Sequence, residues 1–157
     1  AASESGADAV KFQTYKSERR VKDKKSKIFK ILKKCELSFK EFEIINDYCR
    51  EKKIIFFSTP FDLEAIEFLK SIKVKLFKVA SFDIGNLPFI NRIAKAQKPT
   101  VVSIGGGKSD QVKSSIEILK KKTSDLALLH CVSEYPCPHD RLGLENIKVL
   151  INAYPKL

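Results

Sequence analysis

Apolar residues recur along this chain with two alternating periods. Short runs rich in apolar and β-branched residues, "AVKFQ" (9–13), "IIFFST" (54–59), "LFKVAS" (76–81), "TVVSIG" (100–105) and "LALLHCVS" (126–133), predict five strands. Elsewhere the spacing widens to that of helices. "SFKEFEIINDYCREKK" sets Phe39, Phe42, Ile45 and Cys49 at three- and four-residue steps behind Ser38 and Glu41, the pair that forms a capping box. "DLEAIEFLKSI" repeats the device, with Asp62 as cap and Leu63, Ile66 and Leu69 on one face; "LPFINRIAKA", "DQVKSSIEILKKK" and "LENIKVLINAY" predict three more helices. Strands that alternate with helices imply parallel pairing through right-handed crossovers, which is the α/β class.

Two architectures satisfy this rhythm, an open doubly wound sheet and a TIM (β/α)8 barrel. A doubly wound nucleotide binder should carry a Gly-rich fingerprint after an early strand, and "GADAVKFQTYK" has none. "SIGGGKSD" ends in Gly-Lys-Ser, but the P-loop needs a further glycine where Val102 stands. Three consecutive glycines still let backbone N–H groups approach an anion, so a phosphate or carboxylate nest stays open as a reading.

A barrel instead gathers polar side chains at the carboxyl ends of several strands. Lys11 and Gln13 end the first, Ser58 and Thr59 the second, Lys78, Ser81 and Asp83 the third, Ser103 the fourth, and His130, Ser133 and Tyr135 the fifth. Each has a structural explanation on its own: a strand-end hydroxyl caps a helix, a lone strand lysine snorkels to the rim, and a histidine makes one buried hydrogen bond. The same feature at the same end of five strands favours the barrel. Its mouth, with two lysines, suits a small, multiply anionic substrate.

Composition adds bounds. At 157 residues and 43% hydrophobic the chain can bury one core. Its apolar runs fall far short of the ~18 residues that cross a bilayer, so no membrane partner is expected. The opening "AASESGADAV" has neither an initiator methionine nor a signal-peptide pattern, which reads as a start within a longer protein. The net charge of +11 raises a nucleic-acid partner, and much of the excess lies in "KSERRVKDKKSKIFKILKK" (16–34). That stretch reads as a solvated long loop or frayed helix; it is mostly lysine, with Phe29 as its one aromatic platform, which argues against RNA recognition. Cys35, Cys49, Cys131 and Cys137 form no C-x-x-C pair, consistent with a reduced, cytoplasmic setting. "HCVSEYPCPH" lacks the paired spacing of a zinc site, so His130 and His139 are not read as metal ligands.

"GADAVKFQTYK", "KKCELSFKEF", "FFSTPFDLEAIEFL", "FKVASFDIGNLPFINRIAKAQKP" and "LALLHCVSEYPCP" resemble, in order, the motifs of the N-acetylneuraminate (sialic acid) synthase family, from residue 6 to about residue 150. The resemblance implies condensation of phosphoenolpyruvate with N-acetylmannosamine or a related N-acetylated hexosamine, giving a sialic acid and phosphate. It also implies a TIM-barrel catalytic domain, a C-terminal antifreeze-like domain, a homodimer and a divalent metal, manganese or magnesium. By position, Lys11 and Lys78 match lysines around the phosphoenolpyruvate, and Thr59, Ser81 and Ser103 match groups near its carboxylate or phosphate. Gln13 and Tyr135 match residues on the sugar side, and Ser133 a phosphate contact. Asp83 stands where the family has a glutamate near the reacting carbons. The resemblance thus gives Lys78 and Asp83 the catalytic roles.

Chemically the set is coherent. The enolate-like carbon attacks the sugar aldehyde, positive charge develops at the second carbon, and water activated by the family's metal completes a tetrahedral intermediate that expels phosphate. Three features depart from the pattern. Phe82 replaces a glycine, "SIGGG" replaces "STGMA", and Asp83 is one methylene shorter than glutamate.

The expectation is an incomplete barrel of about five βα units spanning 1–157, without its first strand, its last strands, the metal ligands or the antifreeze-like domain, since a full barrel takes roughly 250 residues. The fragment alone is expected to be inactive. A noncatalytic remnant or a basic RNA-binding module is the alternative.

Overall fold

The computed structural model describes residues 1–123 and 125–157. The chain divides into two compact units, Ala1–Phe77 and Lys78–Leu157. Five parallel strands follow one another in sheet order as in the chain: β1 (Ala9–Thr14), β2 (Ile55–Pro60), β3 (Phe77–Val79), β4 (Thr100–Ser103) and β5 (Leu126–Leu129). The helices are α1 (Ser17–Arg20), α2 (Lys27–Cys35), α3 (Phe39–Glu51), α4 (Leu63–Ser71), α5 (Leu87–Ala94), α6 (Ser109–Lys120) and α7 (Glu145–Ala153). This is the βα succession of a partial TIM barrel.

In the first unit β1 pairs with β2 so that Lys11 lies beside Phe57 and Gln13 beside Thr59. Side chains alternate across a strand, so the two faces differ in kind. Phe12 turns to the helices, 6.4 Å from Phe42 of α3 and 5.4 Å from Phe56, whereas Lys11 and Gln13 are exposed. Phe42, Phe56, Ile66, Leu69 and Val74 form the core, with Phe39 stacked on Phe68 at 4.1 Å. Local chemistry starts α3 and α4: Ser38 Oγ accepts from Glu41 N–H while Glu41 accepts from Ser38 N–H, and Asp62 Oδ1 accepts from Ala65 N–H at 2.7 Å. Such caps satisfy amides that have no intrahelical partner.

The basic stretch 16–34 departs from the expected loop or frayed helix, because it folds into α1 and most of α2. Ser26 caps α2 by accepting from Phe29 N–H, and the Tyr15 hydroxyl donates to the Leu32 carbonyl at 2.9 Å. Its charges are partly paired: Arg19 with Asp62 and Glu64, and Lys33 with Glu18 and Glu36. Partial burial pushes the Glu36 carboxyl up, but hydrogen bonds from Ser17 and then Lys33 outweigh it and hold the group below its ordinary range. The interleaved lysines concealed a two-residue stripe, Phe29 and Leu32, that is half-buried while its neighbours are exposed.

In the second unit β4 pairs with β5 from Thr100–Leu126 to Ser103–Leu129. Val79, Ile84, Ile90, Ile93, Val102, Ile116 and Leu119 are among its fully buried apolar side chains. Three strands are shorter than the sequence predicts, β4 by ending at Ser103 where the run continued to Gly105. β3 stops at Val79 and passes into a 3-10 turn, Ser81–Asp83; β5 stops at Leu129, so His130, Ser133 and Tyr135 lie in the following loop. Ser115 of α6 donates to the Ile84 carbonyl, which ties the 3-10 turn to that helix.

No helix is long and apolar enough to cross a membrane among the described residues.

Candidate active site

The second unit holds a buried polar cluster centred on Lys78 and Ser103. Lys78 sits in the middle of β3 between Phe77 and Val79, both fully buried, and is itself only 8% exposed. A buried ammonium is costly unless hydrogen-bonded. Its Nζ donates to Ser103 Oγ on β4 and to the Val79 carbonyl, each at 2.6 Å. Two residues that the sequence placed at separate strand ends therefore meet directly.

Around this pair, Asp83 is 7% exposed at the end of the 3-10 turn and Ser81 is half-buried at its start. The turn, rather than strand alternation, sets where these two point. Phe82 between them is 65% exposed. Cys131 Sγ donates to Ser103 Oγ at 3.4 Å, a contact the sequence reading missed. The signal lies in the pairing: Ser103 registers with Leu129, the last residue of β5, and the chain leaving that strand brings Cys131, two residues on, to the hydroxyl.

The Gly-rich loop has its own structural causes. A side chain at Gly105 would meet the Cys131 carbonyl oxygen at 2.3 Å, so the loop can only pass there without one. Gly106 has φ +76°, the left-handed region, and a Cβ on it would lie 3.2 Å from Ser133 Oγ. Ser133 thus closes over the glycines. Tyr135 extends outward at 95% exposure, and no hydrogen bond joins it to the other candidates among the described residues.

His130 behaves as its structural explanation holds: half-buried, it donates from Nε2 to the Leu142 carbonyl at 2.7 Å. No group of three His, Cys, Asp or Glu side chains gathers among the described residues. Among the described residues the donors do not make a divalent-ion site.

In the first unit Lys11, Gln13 and Thr59 share one face of the β1–β2 pair, the first two exposed and Thr59 buried. Ser58 does not belong with them. It is turned to the other face and shares a 2.8 Å hydrogen bond with Thr14, both fully buried.

The chain is similar to known proteins along nearly its whole length. The N,N'-diacetyllegionaminic acid synthase of Campylobacter jejuni is 32% identical over 169 residues, an alignment that covers 98% of this chain and 51% of that protein. The crystal structure of the N-acetylneuraminic acid (sialic acid) synthetase of Leptospira borgpetersenii, in complex with citrate, superposes with a TM-score of 0.92 at 35% identity, covering 98% of this chain and 53% of that one. A truncated 3-deoxy-D-arabino-heptulosonate 7-phosphate synthase from Thermotoga maritima, at 10% identity and a TM-score of 0.69, shares the fold. The chain spans about half the length of the curated relatives it matches. With the NeuB family model matching residues 1–157 throughout, the chain belongs to the NeuB family.

Proposed function

We propose that the chain forms the phosphoenolpyruvate-holding part of a sugar-acid synthase that joins phosphoenolpyruvate to N-acetylmannosamine or a related N-acetylated hexosamine and releases phosphate. The observation that carries the reading is Lys78: an ammonium buried within an apolar strand, with its Nζ on the hydroxyl of the neighbouring strand's last residue. An enzyme gains from such a cation where a compact anion must be held away from water.

On this reading Lys78 and Ser103 bind the phosphate or carboxylate, with Ser81 and Ser133 as further hydroxyl donors. Carbon 3 of phosphoenolpyruvate forms the new bond to the sugar's aldehyde carbon, whose oxygen takes up a proton. Positive charge develops at carbon 2, and the Asp83 carboxylate stabilises that centre or accepts the proton of the water that adds there. Collapse of the tetrahedral intermediate breaks the bond from carbon 2 to the phosphate oxygen and leaves a 2-keto acid. Lys11 and Thr59 are assigned to phosphoenolpyruvate, and Gln13 and Tyr135 to the sugar, from the family pattern. The divalent metal of the complete enzyme would draw its ligands from outside this chain, as would full turnover and the homodimer.

Calorimetric or phosphorus-31 NMR titration of the 157-residue chain with phosphoenolpyruvate tests the reading. Saturable binding is expected, weakened about 10- to 100-fold by Lys78→Gln, the range for a lost charge-assisted hydrogen bond. Absence of binding, or equal binding by the variant, would overturn it.

A further inference from the structure

We propose that Cys131 is a positioning residue, whose thiol fixes the Ser103 hydroxyl as a hydrogen-bond donor to the bound anion. The inference rests on the phosphoenolpyruvate reading above and extends it to a residue that does not itself touch the substrate.

The argument is a count of what one hydroxyl can do. A serine oxygen carries two acceptor lone pairs and a single O–H. At Ser103 one lone pair receives Lys78 Nζ at 2.6 Å and the other receives the Cys131 thiol at 3.4 Å. With both lone pairs occupied, the proton is the only function left to Ser103, and it must point away from both donors. The oxygen is polarised by an ammonium, which strengthens the O–H as a donor. An anion needs donors and rejects lone pairs. A hydroxyl that could rotate would offer either, and the thiol removes that freedom.

The placement of Cys131 is set from two sides. The register of Ser103 with Leu129 brings Cys131 diagonally opposite the hydroxyl. Gly105 lies so close to the Cys131 carbonyl that no side chain fits between them, which holds the Cys131 backbone against the exit of β4. Ser103 is 8% exposed, so water does not readily take the place of the thiol.

Three variants of the whole chain separate this role from simple packing: Cys131→Ala removes the donor, Cys131→Ser keeps one, and Ser103→Ala removes the acceptor. Titrated with phosphoenolpyruvate, Cys131→Ala should bind about 3- to 10-fold more weakly than the parent, the effect of one neutral hydrogen bond. Cys131→Ser should stay within about 2-fold. In the Ser103→Ala background the further change Cys131→Ala should cost nothing, because the residue through which it acts is gone. Equal affinity of Cys131→Ala and parent overturns the inference while leaving the functional reading intact. So does a loss in Cys131→Ser as large as in Cys131→Ala, or an undiminished effect in the Ser103→Ala background. Absence of binding by the parent overturns both. The hydrogen bond itself is read without any ligand: in the Raman spectrum Ser103→Ala should shift one S–H stretching band, and Cys131→Ser should remove that same band. An unchanged S–H envelope in Ser103→Ala overturns the inference whatever the chain binds.

Discussion

Replacing Gly105 by alanine tests how tightly the loop after β4 is built against the segment that leaves β5. An ideal Cβ at Gly105 falls 2.3 Å from the Cys131 carbonyl oxygen, 2.9 Å from its carbonyl carbon and 3.1 Å from its Cβ. Ordinary van der Waals contact begins near 3.4 Å, so the two backbones must separate by about an ångström. The obstacles are mainly backbone, and rotamer changes cannot clear them. The nearest ladder bond, Ile104 N–H to the Leu129 carbonyl at 3.1 Å, lies one residue from the clash and is the first to be stretched. Overpacking of this kind costs about 1–3 kcal/mol. Loss of a backbone hydrogen bond adds about 1 kcal/mol. The expected destabilisation is therefore about 3 kcal/mol. With a urea dependence of about 1.5 kcal/mol per molar, the midpoint should fall by about 2 M. Equilibrium urea unfolding followed by far-ultraviolet circular dichroism measures it. A midpoint within about 0.3 M of the parent would refute the reasoning, since the loop would then yield without resistance.

Two further outcomes follow from local chemistry. The Ser38 backbone N–H, and then its hydroxyl, hold the Glu41 carboxyl below its ordinary value of 4.5. A lowered folded value means that the contribution is complete above 4.5 and is lost as the pH falls through the lowered value. Thermal melts should therefore show the parent losing more of its melting temperature than Glu41→Gln between about pH 6 and about pH 3, and parallel curves would contradict this. Burial pushes the Cys49 thiol up, whereas Cys35 is exposed. Iodoacetamide at neutral pH, with peptide mass spectrometry, should label Cys35 well before Cys49; comparable rates would contradict the placement of Cys49 in the core.

The elements legible in the sequence were those specified by neighbouring residues. α3 and α4 begin where Ser38, Glu41 and Asp62 place them, because a cap is satisfied within one turn of chain. The five strands were legible as apolar runs, but the ends of β3, β4 and β5 were not. β3 stops early where the 3-10 turn Ser81–Asp83 begins, and β5 where the chain enters a loop, and both departures are held by contacts distant in sequence, Ser115 to Ile84 and His130 to Leu142. The helix α2 was passed over for a different reason: Ile28, Phe29, Ile31 and Leu32 do keep a helical period, but the lysines among them draw the eye to charge instead of to the apolar spacing. At the candidate site, Lys78 announced itself as a charge inside an apolar run. The roles of Ser58 and Cys131 could not be read in that way. Ser58 and Thr59 are adjacent in sequence yet occupy opposite faces, and the Cys131 contact depends on which residue of β5 lies beside Ser103.

The pairing of β1 with β2 also protects what it displays. Because successive side chains alternate, sliding β1 by a single position would bury Lys11 and Gln13 among the phenylalanines and turn Phe12 outward. No mutation can misplace these two polar groups by slippage and leave the aromatic packing undisturbed. Chains with a misaligned first strand should thus be removed as misfolded protein before they could persist as intact molecules with a scrambled surface.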